Sequence, residues 1–133
     1  MTPLKEAIKF HGHLGPYLVL GLLAGELGLK KTGAKKYFGT EVKVYGANIK
    51  PKSCLIDGLQ LSTGATYGKG NIRKYASGSL KISIRNTKDG RAVTLRLKDF
   101  LIKELNNLKG HAACERFARR LLKINKQKIF TLK

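Results

Sequence analysis

The chain has 133 residues, the length of one ordinary domain, and 42% of them are hydrophobic, which is enough to build a buried core. Lysine and arginine number 27 against 8 aspartate and glutamate residues, so the formal net charge is +19. This composition excludes a disordered chain and an electrically neutral surface. It does not identify a partner, because nucleic acid, anionic lipid and acidic proteins all suit a basic surface, and lysine-rich surfaces are also typical of heat-loving organisms.

The cysteine content and the hydropathy pattern bear on the compartment. Two cysteines, Cys54 and Cys114, are too few for a disulfide scaffold and give no indication of an oxidising environment. The most apolar stretch, Leu18 to Leu23, falls far short of the roughly 20 residues that a membrane span needs, and no secretory signal pattern precedes it. We therefore expect a soluble, cytoplasmic protein with a single domain over residues 1–133 and no membrane partner.

The N-terminal part of the chain predicts two helices joined by a turn. Residues 2–10 have helical apolar spacing, with Thr2 as a candidate N-cap, and the glycines and proline of residues 11–16 are typical of a turn. Residues 17–29 predict a helix that is apolar nearly all round, with glycines at 21 and 25 that favour close packing. One small domain does not easily cover such a helix, so we expect a homodimer.

The middle of the chain predicts one strand and one further helix. Glu41–Tyr45 alternates between apolar and polar residues, as a strand does. A helix is expected over Cys54–Leu61, with Ser53 as its N-cap. The glycine-rich residues 62–71 are expected to be irregular, and they do not match the phosphate-binding loop because no serine or threonine follows Lys69.

The C-terminal half contains the clearest local signal. Residues 80–97 alternate on both sides of an Asp-Gly turn, which predicts a β-hairpin. Helices are expected from Asp99 to Leu108 and from His111 to Ile124, and a last strand over residues 128–132. The order α-α-β-α-β-β-α-α-β is typical of an α+β fold in which helices pack on a small mixed sheet.

The first candidate site is the pair His11 and His13, which flank a single glycine. That glycine lets the backbone bend so that both imidazoles face a common point, and neutral imidazole is a ligand for zinc and similar metals. The alternative is that one ring caps the following helix while the other is exposed. For His11 both roles remain open at this point.

Cysteine and aspartate at the start of the third predicted helix form the second candidate. A helix N-terminus stabilises a thiolate, so Cys54 is expected to have a lowered pKa and to act as ligand or nucleophile. Asp57, one turn later, is expected to orient an imidazole or to serve the helix dipole. The alternative for Cys54 is a small buried thiol. Cys114 lies on the apolar face of its helix with Phe117 and is interpreted as a core residue.

A basic binding module is the competing functional class. The charge of +19 favours a nucleic-acid partner, but no motif that reads nucleic acid supports one. The run Arg116, Arg119, Arg120 and Lys123 is interpreted as a solvated helix face. Membership of a larger complex, as one of its subunits, is a third class.

Three segments together resemble the family of the E subunit of formylmethanofuran dehydrogenase. They are Phe10–Pro16, Ser53–Gln60 and Thr63–Asn71, in that order. The resemblance implies an α+β fold with a mixed sheet, a tendency to dimerise, and a site built around His-Gly-His and the Cys-x-x-Asp helix start. It gives a metal-binding protein with His11, His13 and Cys54 as ligands of zinc or another divalent transition metal, accessory to one-carbon or redox metabolism.

The chain departs from that family pattern at two positions. Many members have cysteine where this chain has Gly15, and often where it has Ala65. Both changes remove soft ligands. The zinc ribbon that some members append is also absent from this sequence.

Overall fold

A computed structural model describes residues 2–133, which form an α+β fold of helices packed on one mixed sheet. A short 3-10 turn, Tyr37–Gly39, precedes the first strand. In chain order the elements are α1 (Leu4–His11), α2 (Pro16–Thr32), β1 (Thr40–Tyr45), α3 (Cys54–Thr63), β2 (Ile72–Tyr75), β3 (Lys81–Asn86), β4 (Ala92–Leu97), α4 (Asp99–Asn106), α5 (His111–Leu121), α6 (Lys126–Ile129) and β5 (Phe130–Leu132).

The sheet has the strand order β2-β1-β3-β4-β5. β1 and β2 are parallel and every other pair is antiparallel, with Val44 of β1 opposite Ile82 of β3. Alternate residues of the strands are buried, among them Val42, Val44 and Ile84. The helices therefore cover one face of the sheet, and the polar residues between the buried ones form an open second face.

Helix α2 is the centre of the helical layer. It packs on α3 so closely that a β-carbon at Gly21 would collide with the carbonyl oxygen of Leu55, and one at Gly58 would collide with that of Leu18. The predicted close packing at the α2 glycines is thus confirmed. Ser62 of α3 adds hydrogen bonds from its hydroxyl to the carbonyl oxygens of Gly21 and Gly58, at 3.1 and 2.8 Å.

The environment of α2 corrects the argument that led to a dimer. Helices α3 and α5 and strands β3 and β4 contact α2, and Leu18, Leu20 and Leu22 are buried by this one chain. Its apolar character therefore requires no second copy. Of the helices within residues 2–133, none is long and apolar enough to cross a membrane.

Three details differ from the sequence predictions. Strand β2, which directly follows the glycine-rich segment, is not predicted by the sequence. It forms the edge of the sheet and only Ile72 of it is buried, so its apolar alternation is too weak to indicate a strand. Ser53 has helical backbone angles (φ −63°, ψ −19°), and its side chain makes no capping bond within the described chain. Helix α5 ends at Leu121 and not at Ile124, and the short α6 includes the first two residues of the expected last strand, which begins only at Phe130.

The predicted hairpin is confirmed as β3 and β4, and it supplies a test of the core. Ile84→Asp should unfold the protein, because Ile84 is fully buried against Gly28 and an unpaired buried carboxylate costs several kcal/mol, comparable with the total stability of a small domain, about 5–15 kcal/mol. Thermal melting followed by circular dichroism measures the effect. Ser83→Asp, on the neighbouring open face, is the matched control and should melt normally. A cooperative, unshifted melt of Ile84→Asp would contradict the register.

Candidate functional site

One cavity is lined by all the histidine and cysteine side chains of the chain. It has a volume of about 250 Å³ and lies between the α1–α2 turn, the start of α3, and helices α4 and α5. All three histidines and both cysteines line it: His11, His13, His111, Cys54 and Cys114. Apolar residues complete the wall, namely Leu14, Tyr17, Leu18, Leu105 and Leu108 with the two prolines Pro16 and Pro51. A larger hollow of about 410 Å³ beside residues 46–52 has neither histidine nor cysteine in its lining and is the weaker candidate.

His11 is held in place by a carboxylate. It is the last residue of α1, and its Nδ1 lies 2.6 Å from Oδ2 of Asp57 in the first turn of α3. An ionised carboxylate only accepts hydrogen bonds, so Nδ1 is the donor and the lone pair of the neutral ring is on Nε2. The Asp57 role expected from the sequence, to orient an imidazole, corresponds to this contact.

The second ring nitrogen of His11 is the unusual atom of the site. Nε2 is buried and has no hydrogen-bond partner anywhere in residues 2–133, and the side chain is 9% exposed. Buried polar atoms are nearly always paired, and an unpaired one requires an explanation such as an absent ion or water. The alternative that His11 caps α2 does not correspond to the structure, in which Gly15 is the N-cap residue.

His13 lies beside His11 but in a different environment. Its side chain is exposed, and the two ring centroids are 4.8 Å apart. A β-carbon at Gly15 would come within 3.2 Å of His13 Nε2. The glycine therefore leaves open the space immediately next to this imidazole.

Cys54 does not have the lowered pKa expected at a helix start. Partial burial and the negative charge of Asp57 raise the pKa of the Cys54 thiol, and the opposing effects of Lys50 and of the backbone are smaller. The expectation failed because it considered the helix N-terminus but not the burial of the thiol, which is the larger cause, nor the charge of the carboxylate one turn further along. Near neutral pH the side chain is mainly the thiol, which makes it a poor nucleophile and a better candidate for a ligand that a cation deprotonates.

Cys114 and His111 are the residues that sequence reasoning missed. Cys114 is half-buried and lines the cavity, so its interpretation as a core residue is wrong. His111 begins α5, and Cys114 is three positions further along, which places the two residues on one side of the helix. That His-x-x-Cys spacing was visible in the sequence, but only the packing of α5 against α2 brings it to the same wall as His11 and Cys54.

The donors share a cavity without forming a ligand set. Within the described residues, no three side chains of His, Cys, Asp or Glu lie close enough together to hold one metal ion. A common ion bound by His13 and Cys54 therefore stays a prediction. The prediction that the basic run is solvated is confirmed, since Arg116, Arg119 and Arg120 of α5 and Lys123, just after its end, are all exposed.

Comparisons with known proteins bear on the family. The model of the FmdE family, described as "FmdE, Molybdenum formylmethanofuran dehydrogenase operon", matches residues 10–131. A probable S-adenosyl-L-methionine-binding protein of Archaeoglobus fulgidus is 30% identical over 91 residues, which are 68% of this chain and 25% of that protein. The chain thus spans about a quarter of the length of that relative.

A solved structure has a similar fold. The crystal structure of a tungsten formylmethanofuran dehydrogenase FmdE-like protein from Syntrophus aciditrophicus matches with a TM-score of 0.72 at 19% identity. The match covers 98% of this chain and 68% of that one. At this identity the likeness shows the fold, and together with the family match it confirms the family expected from the three motifs.

The pH dependence of Cys54 alkylation tests the electrostatics of the site. The thiolate is the reactive form, so the rate should rise with pH only through a midpoint above that of free cysteine, because burial and Asp57 raise the pKa of this thiol. Asp57→Asn removes one of these causes and should move the midpoint down, accelerating alkylation at pH near 8. Mass spectrometry of the Cys54 peptide in a Cys114→Ser background measures the rate.

Asp89→Asn, in the exposed β3–β4 turn, is the matched loss of a carboxylate and should leave the profile unchanged. A midpoint below that of free cysteine would contradict the description of the site.

Proposed function

Because this chain belongs to the FmdE family, we propose that its cavity binds zinc or another divalent transition metal through His11, His13 and Cys54. The observation that carries the proposal is the buried, unpaired Nε2 of His11 in the cavity wall. Imidazole nitrogen and thiolate sulfur are ligands that zinc prefers, so the chemistry of the donors fits the ion. Because this nitrogen has no hydrogen-bond partner within residues 2–133, an ion that reaches it displaces no existing contact.

Asp57 has the supporting role in this proposal. Its hydrogen bond to Nδ1 fixes the orientation of the His11 ring, keeps the lone pair on Nε2, and makes that nitrogen a stronger ligand. The same carboxylate raises the pKa of Cys54, and a nearby cation reverses that effect by favouring the thiolate. Asp57 thus links the two ligands electrostatically.

His13 is the adjustable ligand. It follows Gly12, which has a left-handed φ of 109°, and its ring is exposed, so the turn can bring it toward an ion held by His11 and Cys54. Three protein ligands leave one position of a tetrahedral site open. A metal with an open position supplies Lewis-acid chemistry, polarising a bound carbonyl or lowering the pKa of a bound water.

The rest of the cavity restricts what reaches that position. Leu14, Leu105 and Leu108 make it largely apolar, and at about 250 Å³ it admits a small molecule only. Tyr17, another lining residue, keeps its phenolic proton at physiological pH, since the ordinary tyrosine pKa of about 10 already lies well above that pH and burial raises the pKa of Tyr17 further. Tyr17 can therefore donate a hydrogen bond to a polar group of the substrate.

The setting of the activity follows from the family. The family description refers to the operon of molybdenum formylmethanofuran dehydrogenase, and the solved relative is a tungsten formylmethanofuran dehydrogenase FmdE-like protein. We infer an accessory, metal-binding role in cytoplasmic one-carbon or redox metabolism. The chain would act as a homodimer or as one component of a larger complex.

Zinc affinity of single variants tests the site. Cys54→Ser should lose most of the bound metal, and Asp57→Asn should weaken affinity by about 10- to 100-fold, as is usual when the partner of a ligating histidine is removed. Isothermal titration of untagged, chelator-treated protein with zinc gives the affinities. Asp99→Asn, an exposed carboxylate at the start of α4, should bind as the wild type does. Unchanged affinity in Cys54→Ser would exclude this residue as a ligand.

A gain-of-function variant provides a second, independent test. Gly15→Cys adds a thiol next to His13 Nε2, and its backbone angles (φ −136°, ψ 161°) suit any residue. With a further soft ligand at the site, zinc affinity should rise by about tenfold or more. Gly78→Cys, where a side chain would meet open space, is the control for an added thiol elsewhere. An equal rise of zinc affinity in both variants would show that an added thiol binds zinc wherever it stands, and would contradict a site beside His13.

A further inference from the structure

The open face of the sheet has an unusual composition at its β2 edge. Arg73 of β2 lies opposite Lys43 of β1, and Tyr75 lies opposite Tyr45, which in turn pairs with Lys81 of β3. These five residues, which we call the basic tyrosine face, therefore point to the same side of three adjacent strands. This side is opposite to the helical layer that contains the His/Cys cavity.

The aromatic residues of this face form a stack with one side free. The rings of Tyr45 and Tyr75 are 5.1 Å apart between centroids and inclined by 21°, and Lys81 Nζ lies 4.4 Å from the Tyr45 centroid. Tyr45 is therefore enclosed between Tyr75 and Lys81. Tyr75 is on the edge strand and is 37% exposed, so its outer ring surface is available to a flat ligand.

Two shallow hollows meet at the same edge. One of about 390 Å³ extends from Tyr67 to Tyr75, and one of about 180 Å³ lies between Lys43 and Tyr75, with Arg73 in the wall of both. Tyr67 is 52% exposed at the far end of the first hollow. Three of the five tyrosines of the chain, Tyr45, Tyr67 and Tyr75, thus lie at or next to the β2 edge of the sheet, together with cationic side chains.

General roles of a sheet edge account for only part of this arrangement. Lysine and arginine on an edge strand prevent edge-to-edge pairing, which explains Arg73 but not the exposed tyrosines beside it. A second copy of this chain on the same face would place like charges opposite each other, which opposes self-association. A polyanion with flat, stackable groups satisfies both the charge and the aromatic rings.

We propose that the basic tyrosine face binds single-stranded nucleic acid. Lys43, Arg73 and Lys81 contact phosphates. One base stacks on the free side of Tyr75, and the hollow between Tyr67 and Tyr75 binds a neighbouring base. Aromatic side chains on a sheet with cationic neighbours are the usual means of binding unpaired bases, and the stacking is tolerant of sequence. This inference is independent of the metal site and concerns the opposite face of the sheet.

Fluorescence anisotropy with labelled oligouridylate and oligothymidylate of about 12 nucleotides, a usual length for such modules, tests the proposal. The wild-type chain of 133 residues should bind both more tightly than a duplex of equal length, because a duplex hides its bases. Tyr75→Ala should weaken binding about tenfold or more, whereas Tyr75→Phe, which keeps the stacking ring, should bind nearly as the wild type. Equal affinity of Tyr75→Ala and wild type would overturn the proposal.

A charge-matched pair of double variants separates this face from the general basicity of the protein. Lys43→Gln with Arg73→Gln should make the dependence of log affinity on log salt shallower by about 1.4, the value for two lost phosphate contacts on a single strand. Arg116→Gln with Lys123→Gln removes the same charge from the exposed surface of α5 and the turn that follows it, and should change the slope less. Identical slopes in the two double variants would overturn the proposal.

Two further measurements distinguish the alternatives. Chelator-treated protein and Cys54→Ser should bind the oligonucleotide normally, so that failure of the metal site leaves this proposal intact. Light scattering addresses a second copy as the occupant: a stable dimer that Tyr75→Ala converts to monomer would show that this face is a dimer interface and would overturn nucleic-acid binding.

Discussion

The contact between α2 and α3 is the constraint on which the rest of the molecule depends. Gly21 and Gly58 let the two helix backbones approach until a β-carbon on either would collide with a carbonyl oxygen of the other. Ser62 of α3 ties the helices with a hydrogen bond from its hydroxyl to the carbonyl oxygen of Gly21. Such an approach leaves little freedom to rotate or slide one helix on the other. It therefore fixes the start of α3 relative to the α1–α2 turn, which is where the candidate site lies. The glycines of the α2–α3 interface thus determine where the titratable groups of the cavity lie.

Asp57 is the residue through which the position of α3 affects the chemistry of the candidate site. Carried by α3, it reaches the histidine at the end of α1 and also acts on the thiol at the start of its own helix. The two effects oppose each other in the chain alone: one prepares a nitrogen lone pair, and the other suppresses a thiolate. In the proposed metal site, a cation would resolve this opposition, since it would bind both donors and offset the negative charge. A site with this electrostatic balance is better suited to an ion than to an activated nucleophile.

The sheet separates two kinds of surface. Its inner face is apolar and supports the helices, so the cavity is enclosed by parts of the chain that come together only through the core. Its outer face is polar because strand alternation leaves every second side chain outside. At the β2 edge of this face, part of the positive charge of the protein lies in a regular arrangement across the strands. High charge on the surface of a small domain is commonly diffuse. Pairing across strands β2, β1 and β3 aligns it here with tyrosine rings.

The sequence by itself determined the parts that depend on local periodicity. The hairpin of β3 and β4 follows from alternation around an Asp-Gly turn, and the apolar character of α2 follows from its composition, because both are set by neighbouring residues. The family motifs also predicted His11, His13 and Cys54 as metal ligands, which stays a prediction. Only the tertiary structure decided that α2 is covered within one chain, that Asp57 bonds to His11, that burial raises the pKa of Cys54, and that His111 and Cys114 join the cavity. Those features depend on distances between segments far apart in the chain, and such distances are fixed by packing, which no local pattern encodes.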